Sequence, residues 1–223
     1  RGERADFASL TQVRQLAQRL RDSCPRIDVL VNNAGVWNKT RKTSAEGYEH
    51  TFAVNHLAPF LLTQLLLPCL HAAPHPRVVN VSSRLHRRER AFDLSDPHQR
   101  TRGYQGLRAY RQSKLANVMF TRQLARRMSG VLCTNAADPG DVATDVVRDS
   151  ALLSWASRTI GRWRLLTPEE GARTSVFVAS APELAGLSGR YFAYCRQRAP
   201  SPVAYDRTQA EALWQLSESL TAS

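Results

Sequence analysis

Apolar residues recur every three or four positions over several stretches of the chain. The first stretch runs from Leu10 to Leu20, and Ser9 with Gln12 resembles a helix-capping box. A second start signal is Thr167, which is followed by a proline and two glutamates. The predicted helices cover residues 10–20, 44–70, 108–128 and 206–220, and a further helix begins at Thr167.

Short runs of apolar and β-branched residues lie between these helices. Residues 27–31 and 77–81 are the clearest, and residues 77–81 have the pattern of a buried strand. Residues 131–136 and 190–194 are the other candidates. Strands that alternate with helices of ten or more residues indicate a parallel, doubly wound sheet, so we predict an α/β fold.

The length favours one domain. The chain has 223 residues and a mass of 25.0 kDa, which is enough for one sizeable core. It shows no internal repeat and no linker, so residues 1–223 are assigned to a single domain. The longest apolar stretch, residues 57–68, is shorter than the ~20 residues that a membrane-spanning helix requires.

Basic residues outnumber acidic ones by 31 to 19, which gives a net charge of +12. This balance permits contact with anionic membranes, nucleic acid or phosphorylated ligands. The arginines are dispersed except at residues 84–90, which we interpret as a solvated loop, and aromatic residues do not alternate with them. We therefore expect no nucleic acid partner. The four cysteines are 45 to 64 residues apart, and this spacing predicts no metal site.

Tyr110 and Lys114 lie one helical turn apart on the same face of a predicted helix. A phenol with its ordinary pKa of about 10 is a poor acid–base catalyst at neutral pH. A neighbouring ammonium group stabilises the phenolate and lowers that pKa. The pair is therefore a candidate catalytic centre, although the same spacing also occurs on ordinary helices.

Other polar and glycine-containing motifs lie where predicted strands end, which is where doubly wound sheets bind ligands. In chain order, the motifs are Asn32-Asn33-Ala34-Gly35, Asn55 within a helix, Ser82-Ser83, Tyr110 to Lys114, and Pro139-Gly140. This ordered set resembles the short-chain dehydrogenase/reductase superfamily over essentially the whole chain. The strings SKLANV, NHLAPFLLT, VVNVSS and LSGRYFAYC are similar to the retinol dehydrogenase branch. The resemblance implies a Rossmann-like sheet and reduction of retinal-like aldehydes.

The resemblance also implies a role for each catalytic candidate. Tyr110 is expected to protonate the carbonyl oxygen as hydride arrives from a nicotinamide. Lys114 is expected to lower the pKa of Tyr110 and to bind the nicotinamide ribose. Ser83 is expected to hold the substrate oxygen, in preference to Ser82. Asn55 matches the residue that holds a water next to the lysine, and a buried asparagine in a kinked helix is the alternative.

The same resemblance implies a dinucleotide site, with NADP(H) favoured over NAD(H) and no metal. Its candidate residues are Asp6 near the adenine, Asn33, Ala34 and Gly35 under the adenosine ribose, Tyr110 and Lys114 at the nicotinamide ribose, and Pro139, Gly140, Val142 and Thr144 along the nicotinamide.

Some residues depart from the branch pattern. Asp138 replaces the histidine that usually precedes Pro-Gly, and Asp141 follows the glycine, which we expect to weaken binding of a phosphate-bearing cofactor. Apolar residues recur at helical spacing over residues 152–166. This region is the substrate lid in the family, and the alternative is an ordinary amphipathic helix packed on the core.

The superfamily's phosphate-binding sequence TGxxxGxG is absent from these residues. Its glycines let backbone N–H groups approach a pyrophosphate at a helix N-terminus. By resemblance, Asp6 belongs at the end of the third strand. We therefore expect an N-terminally truncated sheet in which the first two strands are missing and residues 27–31 form a bare edge.

Two functions remain open at this point. One is an NADP(H)-dependent oxidoreductase that interconverts an apolar aldehyde or ketone and its alcohol, with membrane-surface association and a homodimer as further expectations. The other is a truncated, inactive protein that acts only by binding a partner. Because the phosphate-binding sequence is absent, we expect these 223 residues alone to have little or no dehydrogenase activity. A full-length parent is expected at the endoplasmic reticulum membrane, and these residues alone in the cytoplasm.

Overall fold

A single sheet lies at the centre of the computed structural model, which describes residues 2–101, 103–140 and 167–222. Its described strands lie side by side in chain order, and all neighbours are parallel except the last pair. The strands are β1 (Val29–Asn32), β2 (Arg77–Val81), β3 (Cys133–Asp138), β4 (Tyr191–Ala193) and β5 (Arg196–Arg198). The predicted parallel sheet is confirmed.

Helices connect these strands and cover both faces of the sheet. They are α1 (Leu10–Ser23), α2 (His50–Phe52), α3 (Ala58–His71), α4 (Gly106–Arg127), α5 (Pro168–Ser180) and α6 (Arg207–Thr221). A π-helical turn, Ala53–Leu57, joins α2 to α3. The predicted start at residue 44 is wrong, because the Glu49 carboxylate accepts hydrogen bonds from the backbone N–H groups of Thr51 and Phe52 and so starts the helix.

The two predicted helix starts differ in how completely they form. Thr167 and Glu170 make both bonds of a capping box. Ser9 Oγ accepts from the backbone N–H of Gln12, but the Gln12 side chain accepts from Asp6 N at 2.9 Å rather than from Ser9. The first box is therefore only half formed, and its glutamine ties down the residues that precede α1.

Successive residues of β2 point to opposite faces of the sheet. Val78 packs with Phe120 and Leu124 of α4, whereas Val79 packs with Val178 of α5. Alternation is a property of any strand, but here both faces are covered, so Val78 and Val79 are both buried. This arrangement confirms the doubly wound architecture.

The helical stretch His50–His71 is long and apolar enough to cross a membrane by length and composition. However, 78% of its most apolar window is buried inside the fold. Core helices of globular domains have the same composition, and the contacts of this stretch with α1, α4 and α6 identify it as one of them.

Strand β1 lies at the edge of the described sheet, as expected. Val29 and Val31 are 39% and 41% exposed. Residues 2–6 do not form the strand expected near Asp6; they lead through a turn into α1, because no strand lies beside the open edge of β1 to pair with them. The exposed edge is a surface on which another strand could pair.

Candidate active site

The four catalytic candidates come together at the carboxyl end of β2. Ser83 follows that strand, and Tyr110 and Lys114 lie on α4, which crosses above it. Asn55 lies in the π-helical turn and reaches α4 by a hydrogen bond to Ser113. Parallel strands place their carboxyl ends at one edge of the sheet, so residues far apart in the chain form one site.

Tyr110 is directed at Ser83. The Ser83 side chain lies near the phenol of Tyr110, and Lys114 Nζ lies 5.6 Å from the centre of the tyrosine ring. Burial raises the pKa of Tyr110 to about 12; the neighbouring Ser83 opposes this rise and the charge of Asp138 adds to it. The expected lowering of this pKa is therefore not found, because desolvation of the phenolate outweighs its stabilisation.

Lys114 is buried and donates a hydrogen bond to Val81 O at 3.1 Å. Burial lowers the pKa of Lys114 to about 8, and the carboxylate of Asp138 partly opposes that shift. An ammonium group with this pKa is still largely protonated at neutral pH and gives up its proton more readily than an exposed lysine. Lys114 thus combines a positive charge with the ability to exchange a proton.

The two adjacent serines have different roles in the structure. Ser82 is buried, and its hydroxyl donates to Lys114 O at 2.8 Å. Ser83 is partly exposed, caps the 3₁₀ helix Arg84–Arg88 and lies near Tyr110. Ser82 therefore anchors α4 to the sheet, whereas Ser83 lies on the side of the phenol, and the preference for Ser83 as the substrate-binding serine stays a prediction.

Asn55 holds the loop after β1 in place. Its Oδ1 accepts from Val36 N at 2.7 Å, and its Nδ2 donates to Val36 O and to Ser113 Oγ, both at 2.9 Å. The π-helical turn widens the helix at this residue, and such turns are frequent at functional sites. The structure thus shows a buried asparagine bonded to backbone in an irregular helix, and this geometry suits both interpretations of Asn55.

Ser113 is a site residue that the sequence reasoning missed. Its hydroxyl donates to Tyr110 O at 2.8 Å and accepts from Asn55 Nδ2. The signal was its place between Tyr110 and Lys114 in the motif, one residue before the lysine. Ser113 links the π-helical turn to α4 and so fixes Asn55 relative to Tyr110.

Asp138 is a buried carboxylate beside the catalytic candidates. Its Oδ2 accepts from the Tyr191 hydroxyl at 2.6 Å, and its Oδ1 accepts from Gly140 N at 2.9 Å. Burial and the charge of Asp138 raise the pKa of Tyr191. The residue was noted only as a departure from the branch pattern. In the structure it shapes the Pro139-Gly140 turn, in which Gly140 has a φ of +80°.

His86 is a second residue that the sequence did not reveal, because it lies in the arginine-rich run. The arginines of that run are exposed, as expected, but Arg84–Arg88 forms a 3₁₀ helix rather than a loop, and His86 is fully buried against Tyr191. Its Nε2 accepts from Ser201 N at 3.0 Å, so its Nδ1 carries the hydrogen and donates to Ser83 O at 2.6 Å. His86 therefore fixes the backbone of Ser83.

The candidate cofactor residues fall into three groups. Asn33 and Ala34 are exposed where β1 ends, and Pro139 with Gly140 follows β3. Two cofactor candidates, Val142 and Thr144, lie outside the described residues. The same holds for Asp141 and for the apolar residues 152–166. The carboxylate of Asp6 is exposed and accepts from Ala8 N at 2.8 Å, so its hydrogen bonds are local and its role toward an adenine stays a prediction.

Gly35 allows a close approach to the catalytic groups. A Cβ on Gly35 would lie 3.2 Å from Lys114 Nζ and 3.5 Å from Asn55 Oδ1. A buried lysine that faces bare backbone fits the nicotinamide-ribose end of a dinucleotide. For the pyrophosphate, the described residues contain no glycine-rich turn that leads from a strand into a helix. They also contain no group of three or more potential metal ligands.

Comparison with protein families gives a match over most of the chain. Residues 3–193 match the family model described as enoyl-(acyl carrier protein) reductase. Human retinol dehydrogenase 14 is 42% identical over 218 residues, and human retinol dehydrogenase 13 is 41% identical over 215 residues. The chain belongs to the short-chain dehydrogenase/reductase family. Within it, the similarity lies with the retinol dehydrogenase-like branch, as the motifs predicted.

The match to retinol dehydrogenase 14 covers 96% of this chain and 64% of the relative. The match to retinol dehydrogenase 13 covers 94% of this chain and 65% of the relative. The chain thus spans a little under two thirds of the length of these relatives. Among solved structures, an uncharacterised protein from Mycobacterium paratuberculosis is 31% identical, with a TM-score of 0.76 over 99% of this chain and 75% of the other.

Another similar structure is described as an NAD(P)-dependent gluconate 5-dehydrogenase from Beutenbergia cavernae with bound NADP. It is 28% identical, with a TM-score of 0.64 over 85% of this chain and 73% of the other. The family uses NAD(P) as its cofactor, and the described sheet shares its fold with this NADP-bound structure.

Proposed function

We propose that the chain carries the catalytic centre of an NADP(H)-dependent oxidoreductase that interconverts an apolar aldehyde or ketone and its alcohol. The observation that carries this proposal is that Tyr110 and the buried Lys114 lie together, with Lys114 Nζ 5.6 Å from the centre of the tyrosine ring, and that Ser83 lies near the same phenol. A bound nicotinamide supplies or accepts the hydride. The contribution of the chain is to hold the carbonyl oxygen and to move one proton.

Tyr110 is the proton donor in the reducing direction. With a pKa of about 12 its hydroxyl is protonated at neutral pH, and it can donate to a carbonyl oxygen that becomes an alkoxide. Ser83 lies near the phenol and donates a second hydrogen bond to the same oxygen. Both groups stabilise negative charge that develops only during the reaction.

Lys114 and Asn55 support this proton transfer. The ammonium group stabilises the phenolate that forms on Tyr110, and its pKa of about 8 allows it to return a proton. Asn55 hydrogen-bonds Val36 and Ser113 and so fixes the loop that places Gly35 beside Lys114. We assign Asp6, Asn33, Ala34, Gly35, Pro139, Gly140, Val142 and Thr144 to cofactor binding.

The similarity to retinol dehydrogenases 12, 13 and 14 supports a retinal-like substrate. We extend the proposal to a longer parent held at the endoplasmic reticulum membrane, and to a homodimer. We propose a cytoplasmic location for the 223 residues alone.

The test uses the 223-residue chain, NADPH and retinal. Saturable quenching of protein fluorescence by NADPH, tighter than by NADH, together with reduction of retinal would support the proposal and overturn the expectation that these residues alone have little activity. Tyr110→Phe should lower turnover at least about 100-fold with little change in NADPH affinity, because it removes only the proton donor. Tyr205→Phe is the matched control, since Tyr205 is half exposed and packs on Arg122. Unchanged turnover in Tyr110→Phe would contradict the mechanism.

One observation favours a second function. The exposed edge of β1, with Val29 and Val31, and the absence of TGxxxGxG from the sequence suit an inactive protein that binds a partner through this edge. Failure of NADPH to bind the 223-residue chain at any concentration would favour this alternative. Saturable NADPH binding with turnover would exclude it.

A further inference from the structure

Five arginines gather where the last turns of α4 meet the start of α6. They are Arg122, Arg126 and Arg127 on α4, Arg190 just before β4, and Arg207 at the first position of α6. Arg122 Nη1 donates to Gly189 O at 3.0 Å, next to Arg190. The guanidinium carbon of Arg122 also lies 4.1 Å from the centre of the Tyr205 ring, two residues before Arg207. Contacts of one side chain thus bring three separate segments of the chain together.

Carboxylates within the described residues balance only part of this charge. Glu211 forms an ion pair with Arg127 at 2.7 Å, and its other oxygen accepts from Gln123. Asp206 caps the start of α6 by accepting from Gln209 N at 3.0 Å. When the Arg127–Glu211 pair is set aside, four guanidinium groups remain beside one carboxylate. We call these four residues, Arg122, Arg126, Arg190 and Arg207, the arginine cluster.

The members of the arginine cluster bond uncharged groups or none. Arg122 bonds a backbone oxygen, and Arg126 Nε donates to Gln123 Oε1 at 2.9 Å. Arg190 and Arg207 are exposed, and their guanidinium groups make no hydrogen bond and no ion pair with described residues. Burial lowers the pKa of Arg122 and of Arg126, and neighbouring arginines add to the lowering. Like charges held this close favour a negative group among them.

The arginine cluster lies at the opposite end of α4 from the catalytic candidates. Arg122 and Arg126 follow Tyr110 by 12 and 16 residues, which corresponds to about 18 and 24 Å along a helix. Gly189 N donates to Thr134 O near the amino end of β3. The described residues stop just after the carboxyl end of that strand, so they contain all four arginines and the contacts that gather them. The cluster is therefore separate from the candidate active site.

We propose that the arginine cluster binds a phosphate group carried by a ligand that takes no part in the catalytic reaction. Guanidinium groups hold phosphate oxygens through paired, charge-assisted N–H donors. The Tyr205 ring is half exposed beside Arg122 and offers an aromatic surface to the part of the ligand next to the phosphate. A free phosphate ester and a phospholipid headgroup share this chemistry. The cluster contains none of the residues assigned to hydride transfer, so its binding does not require an active enzyme.

The test is a calorimetric titration of the 223-residue chain with inorganic pyrophosphate at low ionic strength. We expect saturable binding whose affinity falls with added salt. Arg126→Gln and Arg207→Gln should each weaken this binding at least about fivefold, because each removes one charged donor. Arg21→Gln is the matched control, since Arg21 is an exposed arginine in the last turn of α1. It removes the same charge and should leave the affinity within about twofold.

Vesicle flotation distinguishes the two sources of the phosphate. Binding to vesicles that contain phosphatidic acid, but not to phosphatidylcholine alone, would support a lipid headgroup as the ligand if Arg126→Gln abolishes it. Pyrophosphate binding without vesicle binding would support a free phosphate ester.

Absence of pyrophosphate binding would overturn the inference, and so would an equal loss in Arg21→Gln, which would show only the effect of net charge. Binding that Arg126→Gln and Arg207→Gln leave unchanged would also overturn it, because the phosphate would then lie elsewhere. Thermal melting of each variant verifies that the fold is retained. These titrations need neither cofactor nor turnover, so loss of retinal reduction with pyrophosphate binding intact would count against the proposed function alone.

Discussion

At the scale of single residues, the site depends on buried polar groups that each have a specific partner. Asn55 bonds the backbone of Val36, Asp138 accepts from Tyr191, and His86 bonds Ser83 O. A buried polar group without a partner is costly, so each bond fixes one neighbour. The catalytic candidates are positioned by these contacts rather than by their own chain segments.

Asn55→Ala should lower the free energy of unfolding by about 1–3 kcal/mol, because the amide N–H of Val36 and the hydroxyl of Ser113 each lose a partner. Urea unfolding followed by circular dichroism measures this change. Asn33→Ala is the matched control and should change stability by less than about 0.5 kcal/mol, since Asn33 is exposed. Equal effects of the two substitutions would show that the Asn55 contacts are not important for stability.

At the scale of elements, α4 carries the site because its first residue and its middle are both constrained. Gly106 begins the helix where it passes close to the loop after β1, and a Cβ there would lie 2.0 Å from Asn38 O. Farther along, Lys114 and Asn117 both donate to Val81 O of β2. The close approach at Gly106 and these hydrogen bonds together fix the position of α4 on the sheet, and so the position of Tyr110 relative to Ser83.

Gly106→Ala should destabilise the protein by about 1–3 kcal/mol, because a backbone oxygen cannot move aside as a flexible side chain can. Without the clash, alanine would stabilise a helix by roughly 0.5–1 kcal/mol relative to glycine, so the sign of the change is diagnostic. Chemical unfolding gives the sign. Gly2→Ala is the control, since nothing lies within 4 Å of its added Cβ, and a stabilised Gly106→Ala would contradict the close approach.

At the scale of the whole molecule, charge and burial make stability depend on pH. His56, His86 and His98 are buried, and desolvation lowers the pKa of each; those of His56 and His98 fall to about 4. The folded protein therefore binds these protons less readily than the unfolded chain, in which the pKa is near 6.5.

The contribution of these histidines to stability should be fully present above about pH 6.5 and should be lost as the pH falls toward 4, with about 3 kcal/mol coming from His56. Unfolding free energies measured between pH 4 and 8 test this sign. His56→Gln should flatten the profile, whereas His75→Gln, at an exposed position, should leave its slope unchanged. A profile that rises as the pH falls would contradict the sign.

Much of the fold was predictable from local pattern. Strand β2 was predicted with its observed ends, and the capping box at Thr167 formed as expected. The start of α2 was missed because Glu49 caps that helix with its side chain, a choice that apolar spacing does not show. The strand predicted near Asp6 does not form, because a strand needs a neighbour, and the described sheet ends at β1.

The sequence by itself determined the family, the order of the motifs and the pairing of Tyr110 with Lys114, because a spacing of four residues on a helix is a local property. Only the tertiary structure decided that Ser83 rather than Ser82 lies near the phenol, that burial raises the pKa of Tyr110, and that arginines from separate segments gather beside Tyr205. Those features arise from contacts between distant segments, and desolvation exists only once the chain has packed around the group.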